Sequence, residues 1–354
     1  MEARARFEAQ ALARFAEDVL SAAGMDRALA EVVAATLLEG DLLGHDTHGL
    51  ALLAPYLGEI ERGSMTTEGE VEVISDRGAS LLWDGHRLPG PWLVSIGIDA
   101  LIARAQNYGS ATLVIRRSHH IACLAAYLSR ATERGLVIVI ASSDPQSASV
   151  APFGGTQALF TPDPIAIGIP SSTTPFLIDI SASSVTNGMS ARLKREGRRF
   201  AVECLFDAKG QPSADPQVLF DDPPGTIQPL GGVDFGHKGF GLALMIEALT
   251  GGLAGVGRAD PKEGWGASVF ISIHDPSAFG GSMGFSRQID WIADSARGNP
   301  PRAETEGVRL PGDRALKRKR EQLLSGVALY PEIIVALKTC ASKYHVGLPA
   351  PLLG

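Results

Sequence analysis

Six consecutive apolar residues, Leu136-Val137-Ile138-Val139-Ile140-Ala141, stand between Gly135 and Ser142. A run this short and uniform predicts a strand covered on both faces. Such a strand requires a sheet with layers above and below it. Helical spacing comes before it, over about Ala3–Ala22, from Asp26 as N-cap through Leu38, over Leu50–Ile60 to a stop at Gly63, over Pro91–Asn107 to Gly109, and over Ile121–Arg134. Strand signals lie at Val71–Ile74, Ala79–Trp83 and Ala111–Ile115, then at Ile165–Ile169, Phe176–Ile180, Ser268–Ile273 and near Gly284–Ile289. Further helices are expected over Phe240–Leu253, directly after Lys238, and a last one from Arg314 with Asp313 as cap. Strands alternating with helices define an α/β (mixed α+β) fold around a mixed central sheet. At roughly 150 residues per domain the length suggests about two domains. A helical unit of residues 1–70 plus 300–354 would flank a sheet unit of residues 71–299.

Composition narrows the partners. With 45% hydrophobic and 20% charged residues the chain reads as an ordinary globular protein. A formal net charge of −7 speaks against nucleic acid, because phosphates call for a basic face. A small molecule is the expected partner. Cys123, Cys204 and Cys340 are odd in number and widely spaced, which supports neither a disulfide framework nor a CxxC metal site and fits a reducing cytoplasm. The N-terminal stretch mixes charges into its apolar positions, so neither a signal peptide nor a membrane span is expected.

Five of the eight histidines fall in three short polar stretches, Gly44-His45-Asp46-Thr47-His48-Gly49-Leu50, Ser118-His119-His120 and Gly236-His237-Lys238-Gly239. The first ends an apolar helix, so its side chains can face a cleft, and an imidazole such as His48 exchanges a proton with a carbonyl oxygen near neutral pH. His45 and His48, three apart, could join His119 or His120 on a metal, but no acidic ligand set or Cys accompanies them. The plainer reading is histidines that satisfy carbonyls at a helix end. Lys238, ahead of the expected helix, suits an anion or is a turn lysine. Gly154-Gly155 permits close approach of a ligand or a tight turn. Ser181-Ala182-Ser183-Ser184, after Asp179, could hold ribose or phosphate hydroxyls or form a turn. No GxGxxG joins a strand to a helix, so a Rossmann site is unsupported. The run Lys317-Arg318-Lys319-Arg320 reads as a solvated helix face.

In order and spacing these stretches resemble the malate/L-lactate dehydrogenase family of the sulfolactate dehydrogenase-like fold, which is not a Rossmann fold. The first stretch looks like the family's GHDSHG with Thr47 for Ser and Tyr56 following, and Ser118-His119-His120 looks like SNH. Ala151-Pro152-Phe153-Gly154-Gly155 resembles APxGG, Pro164-Ile165-Ala166 the end of TNPIA, residues 236–242 GHKGFGL, and Leu310-Pro311-Gly312-Asp313 LPGE. The resemblance implies NADH- or NADPH-dependent reduction of a small 2-oxo acid or cyclic 2-imino acid, and the reverse oxidation of a 2-hydroxy acid. It implies that His48 gives or takes the proton and that His120 lies beside nicotinamide and substrate. Ser143, Asp179, Ser181, Ser183, Lys238, Pro311, Gly312 and Asp313 would hold the cofactor, and Thr47, Tyr56, Gly155 and Asp163 the substrate. It implies a homodimer with its sites near the interface, while the residues themselves give no expectation of a metal. Four departures stand out: Pro55 where many members have an arginine, Met189 for a lysine, Asp163 for the asparagine of TNP, and Ala122 for a glycine. They point to an unusual substrate, with Asp163 a candidate partner for a cationic iminium, or to a non-catalytic member that keeps the fold for ligand binding or another reaction. A 2′-phosphate would need a basic partner, for which residues 192–199 are a candidate.

Overall fold

The computed structural model describes residues 5–352. Seven strands form the central sheet: β1 (Glu72–Asp76), β2 (Ser80–Asp84), β3 (Ser110–Ser118), β4 (Val137–Ser143), β5 (Pro164–Ile169), β6 (Phe176–Ser181) and β7 (Ala267–His274). Their spatial order is β1-β2-β3-β7-β4-β5-β6. Only β2 and β3 are parallel neighbours, the other pairs being antiparallel, so the sheet is mixed as predicted. Alternation along β7 assigns its faces. Val269, Ile271 and Ile273 join the larger apolar cluster, and Phe270 packs against a smaller one on the other side. Burial of each such side chain contributes roughly 1.5–3 kcal/mol.

Helices α4 (Gly90–Tyr108) and α5 (Ala125–Thr132) cover the first face. The second is covered by α7 (Gly232–Glu247) and the π turn Ala248–Gly252 that continues it. Beyond α4 lie α1 (Ala9–Ala22), α2 (Arg27–Leu43) and α3 (Leu53–Glu61). Glu8 and Asp26 cap the first two by accepting from N–H groups of their first turns. The chain ends meet here. Arg6–Phe7 pairs with Val327–Ala328, while α9 (Asp313–Ser325) lies on α2 through Lys319–Glu39 at 2.6 Å. The larger cluster is continuous from α1 through α4 and the sheet to α10 (Pro331–Tyr344). Among the described residues no helix is long and apolar enough to cross a membrane.

Several element boundaries differ from the sequence reading. The helix expected from Ala3 starts at Ala9, residues 3 and 4 lying outside the described part. The strand expected near Gly284–Ile289 is helix α8 (Ser282–Arg297), whose Phe285, Ile289 and Ile292 have helical spacing. The helix expected from Phe240 begins eight residues earlier, at Gly232. Gly236 and Gly239 serve close packing: a Cβ on Gly239 would collide with Leu230 and the carbonyl of Ala182. Lys238 therefore sits inside a helix, where its N–H belongs to the helical ladder instead of facing an anion. Helix α5 starts at Ala125 instead of Ile121, since Ala122 has φ 56° and the Asp179 carboxylate accepts from Ala125 N–H. Gly312, with φ 99°, caps α9, and Asp313 instead accepts from Leu310 N–H and pairs with Arg297. That helix is followed by α10, and α6 (Asn187–Arg195) was not foreseen at all.

Candidate active site

The histidine turn is shaped from beneath by Asp41. This carboxyl is buried in the last turn of α2, where its Oδ2 accepts from Leu50 N–H at 2.7 Å. A Cβ on Gly49 would collide with that carboxyl, so glycine is required there. Burial pushes the Asp41 pKa up to about 8, which leaves it largely protonated at neutral pH. Gly44, at φ 90°, ends α2, and residues 44–48 are thereby presented along one wall of a cavity of about 690 Å³.

His48 on this wall has its Nδ1 2.9 Å from Thr47 Oγ1. Burial, with a smaller push from His45, lowers its pKa to about 4, so the ring is neutral at pH 7. A hydroxyl partner serves either tautomer. Accepting from Nδ1–H it leaves Nε2 as a base, and donating to Nδ1 it leaves Nε2–H as a hydrogen-bond donor. His120 lies with its ring centroid 5.9 Å from that of His48. Its Nδ1 accepts from Ala122 N–H at 3.3 Å and stands 2.8 Å from Tyr56 Oη, which places the neutral ring's proton on Nε2. Burial holds its pKa well below the usual imidazole range. Trp265 stacks on the His120 ring at 4.5 Å, and buried His119 meets both Tyr56 and Trp265 edge-on.

The opposite wall begins at the end of β6. Asp179, Ser181, Ser183 and Ser184 lead through Thr186 into the first turn of α6, and all of these line the cavity. Thr186 caps α6 by accepting from Met189 N–H. One turn on, Arg192 is the only lysine or arginine lining the cavity among the described residues. Its guanidinium rests 4.9 Å from the centre of the Tyr330 ring, and the nearest carboxylate, on Glu196, is 3.9 Å away.

Of the residues singled out from sequence, His45, Thr47, His48, His120, Ala122, Asp179, Ser181, Ser183, Ser184, Met189 and Arg192 are among those that share this cavity. Ser143 lies just behind the wall, its hydroxyl bonded to Thr250 Oγ1 at 2.8 Å, while its neighbours Ser142 and Asp144 line the space. Tyr56 is fully buried behind His120. Gly155 lies outside the lining, in the turn that begins at Pro152. Asp163 faces away: it is fully buried, accepts from Thr161 Oγ1 at 2.6 Å and has Arg258 Nη2 at 3.7 Å. Lys238 is exposed on α7, and the Pro311–Asp313 turn joins the far end of β6, where Pro311 O accepts from Leu177 N–H. Pro55 is exposed as well, and the cavity side of that segment belongs to Leu52. Trp265, Leu52, Cys123 and Asp144 were not anticipated as wall residues. Only Trp265 carried a signal, as an aromatic residue between Gly264 and Gly266.

A mixed sheet that brings a buried histidine pair and a serine-rich turn to one cavity provides a site for a small molecule. The chain belongs to the malate/L-lactate dehydrogenase family, whose sequence profile matches residues 7–338, and is an NAD(P)-dependent enzyme of that family. It is 27% identical over 343 residues to an L-lactate dehydrogenase of Cupriavidus necator, covering 95% of this chain and 97% of that one. It is 32% identical over 328 residues to a (2R)-3-sulfolactate dehydrogenase (NADP(+)) of Chromohalobacter salexigens, covering 89% and 92%. In fold it is similar to malate dehydrogenase from Entamoeba histolytica, with TM-score 0.92, 24% identity and coverage of 98% and 100%. It is also similar to the Δ1-piperideine-2-carboxylate reductase of Pseudomonas syringae pv. tomato, with TM-score 0.83, 25% identity and coverage of 95% and 99%.

Proposed function

We propose that the protein interconverts a small 2-oxo acid and its 2-hydroxy acid with NADH or NADPH, with His48 exchanging the proton at the substrate oxygen. The observation that carries this reading is one cavity lined by His48, His120 and the cation Arg192. A bound nicotinamide supplies the two-electron chemistry. The hydroxyls of Ser181 and Ser183, together with Asp179, suit a ribose, and the first turn of α6 offers N–H groups to a phosphate. The protein's share is orientation, exclusion of water and one proton. In the oxidative direction neutral His48 accepts the hydroxyl proton. In the reductive direction the same path runs backwards, so protonated His48 returns the proton to the substrate oxygen, where the developing negative charge offsets the cost of charging a buried ring. Arg192 pairs with the substrate carboxylate, a role for which a guanidinium has the matching bidentate geometry.

A cyclic 2-imino acid is the second reading. Asp144 and Asp179 on the cavity wall offer negative charge to a protonated ring nitrogen, and a relative of the same fold carries a piperideine-carboxylate reductase name. Asp163 lends it no support, being turned toward Arg258. A homodimer is favoured by the apolar face that α7 leaves open, with Val233, Phe235, Leu244 and Met245 each about half exposed. Sedimentation of the protein and of Phe235→Glu tests this, the variant being expected as a monomer.

The catalytic reading is tested by titrating NADH and NADPH while following their fluorescence, then assaying 2-oxo acids, 2-hydroxy acids and cyclic imines. Binding of a cofactor with turnover of an acid supports it. Absence of binding to either cofactor would refute it.

A further inference from the structure

We infer that His45, Cys123 and Asp179 form a binding site for a thiophilic divalent cation of the Zn²⁺ class. These residues come from three separate parts of the chain: the turn after α2, the loop between β3 and α5, and the end of β6. Each offers one ligand atom, and the three atoms lie within 4.8 Å of one another. All three line the cavity. The sequence hides this set, because neither the thiol nor the carboxylate is near His45 in the chain.

The donor chemistry selects the ion. A thiolate, an imidazole and a carboxylate suit Zn²⁺, Co²⁺ or Fe²⁺, whereas Mg²⁺ and Ca²⁺ ask for oxygen ligands alone. Bond lengths of about 2.0–2.3 Å hold ligand atoms roughly 3.3–3.8 Å apart in a tetrahedral site, so closure here takes a shift of about 1 Å. Cys123 Sγ and Asp179 Oδ2 already stand 3.9 Å apart. Three protein ligands with the fourth side facing a cavity is the arrangement of an open coordination site. Asp179 also accepts from Ala125 N–H, which fixes the carboxylate on the frame of α5. The ion replaces the proton of the buried thiol, so binding releases that proton to solvent and strengthens as pH rises.

Occupation has a consequence for the neighbouring histidine. His45 already acts electrostatically on His48, and a cation held on His45 adds positive charge on the same side. It disfavours protonated His48 and stands in the space open to a substrate. Zn²⁺ is expected to inhibit turnover reversibly, with activity restored by a chelator.

The test needs no substrate. Co²⁺ is titrated into the full-length protein after treatment with a chelator, and absorption is followed in the near ultraviolet and visible. The expected result is a thiolate-to-cobalt charge-transfer band that saturates at one ion per chain and is displaced by Zn²⁺. Cys123→Ser and Cys123→Ala should both lose that band and weaken Co²⁺ binding at least tenfold, with near-ultraviolet circular dichroism confirming the fold. Cys340→Ser should retain it. Absence of a thiolate band in the native protein, or its persistence in either Cys123 variant, overturns the site. Neither outcome bears on cofactor binding, so the dehydrogenase reading stands or falls separately.

Discussion

Gly44-His45-Asp46-Thr47-His48-Gly49 and Gly236-His237-Lys238-Gly239 are similar strings with opposite fates. In the first, a buried carboxyl under the turn holds the backbone, and the histidines are turned into a cavity where desolvation resets His48. In the second, the glycines belong to the buried side of α7, and His237 and Lys238 are exposed on it. Glycine does the same work in both, letting a backbone approach what a side chain would block. What differs is the direction in which the polar residues are left facing. A glycine-flanked histidine is therefore no sign of chemistry until the packing partner of its glycines is known.

The contrast can be broken in four ways. The largest effect is expected from His48→Ala, which should cost turnover roughly a hundredfold or more while cofactor affinity changes little. Steady-state kinetics with a fluorescence titration separates the two, and equal losses would assign His48 to binding. Arg192→Gln should raise KM for the acid by about ten- to hundredfold, the worth of a hydrogen bond to a charged group. An altered preference between NADPH and NADH would instead make Arg192 a reader of the 2′-phosphate. Gly49→Ala and Gly239→Ala should each cost about 1–3 kcal/mol of stability through overpacking, but only the first should also lower turnover. Thermal unfolding and activity measured on the same samples decide this.

The smallest effect concerns pH. The Asp41 pKa is raised from its ordinary 3.8 to about 8, so its stabilising contribution is present below the lower value and lost as pH rises through the higher one. Asp41→Asn keeps an acceptor for Leu50 N–H without the titration. Its Tm should gain on that of the native protein progressively between pH about 4 and 8. For His48 the sign is the opposite. A depressed pKa keeps the base available well below pH 6.5, and hydroxy-acid oxidation should fall only as pH approaches about 4.

Much of the frame was legible because periodicity reports burial directly. Val137–Ser143 became the predicted buried strand, and Asp26 and Gly109 bound their helices as their chemistry requires. Departures arose where tertiary packing overrode local preference, as in the glycine-rich first half of α7. For the site, the histidine turn and the serine turn were visible as strings, while Trp265 and Leu52 were not, since what makes them wall residues is contact across the chain. The departures at Pro55 and Asp163 carried the opposite lesson. An unusual residue beside a motif points toward a substrate only if its side chain faces the cavity, and neither of these does.

The stacking of Trp265 on His120 also gives the protein an internal optical probe. Of its four tryptophans, only Trp265 lines the cavity. Its indole emission overlaps the absorption of a reduced nicotinamide, so a cofactor entering beside His120 would quench it by energy transfer. A change in His120 protonation would alter the same signal through ring contact. The occupancy of the cavity and the charge on its wall can thus be read from unlabelled protein.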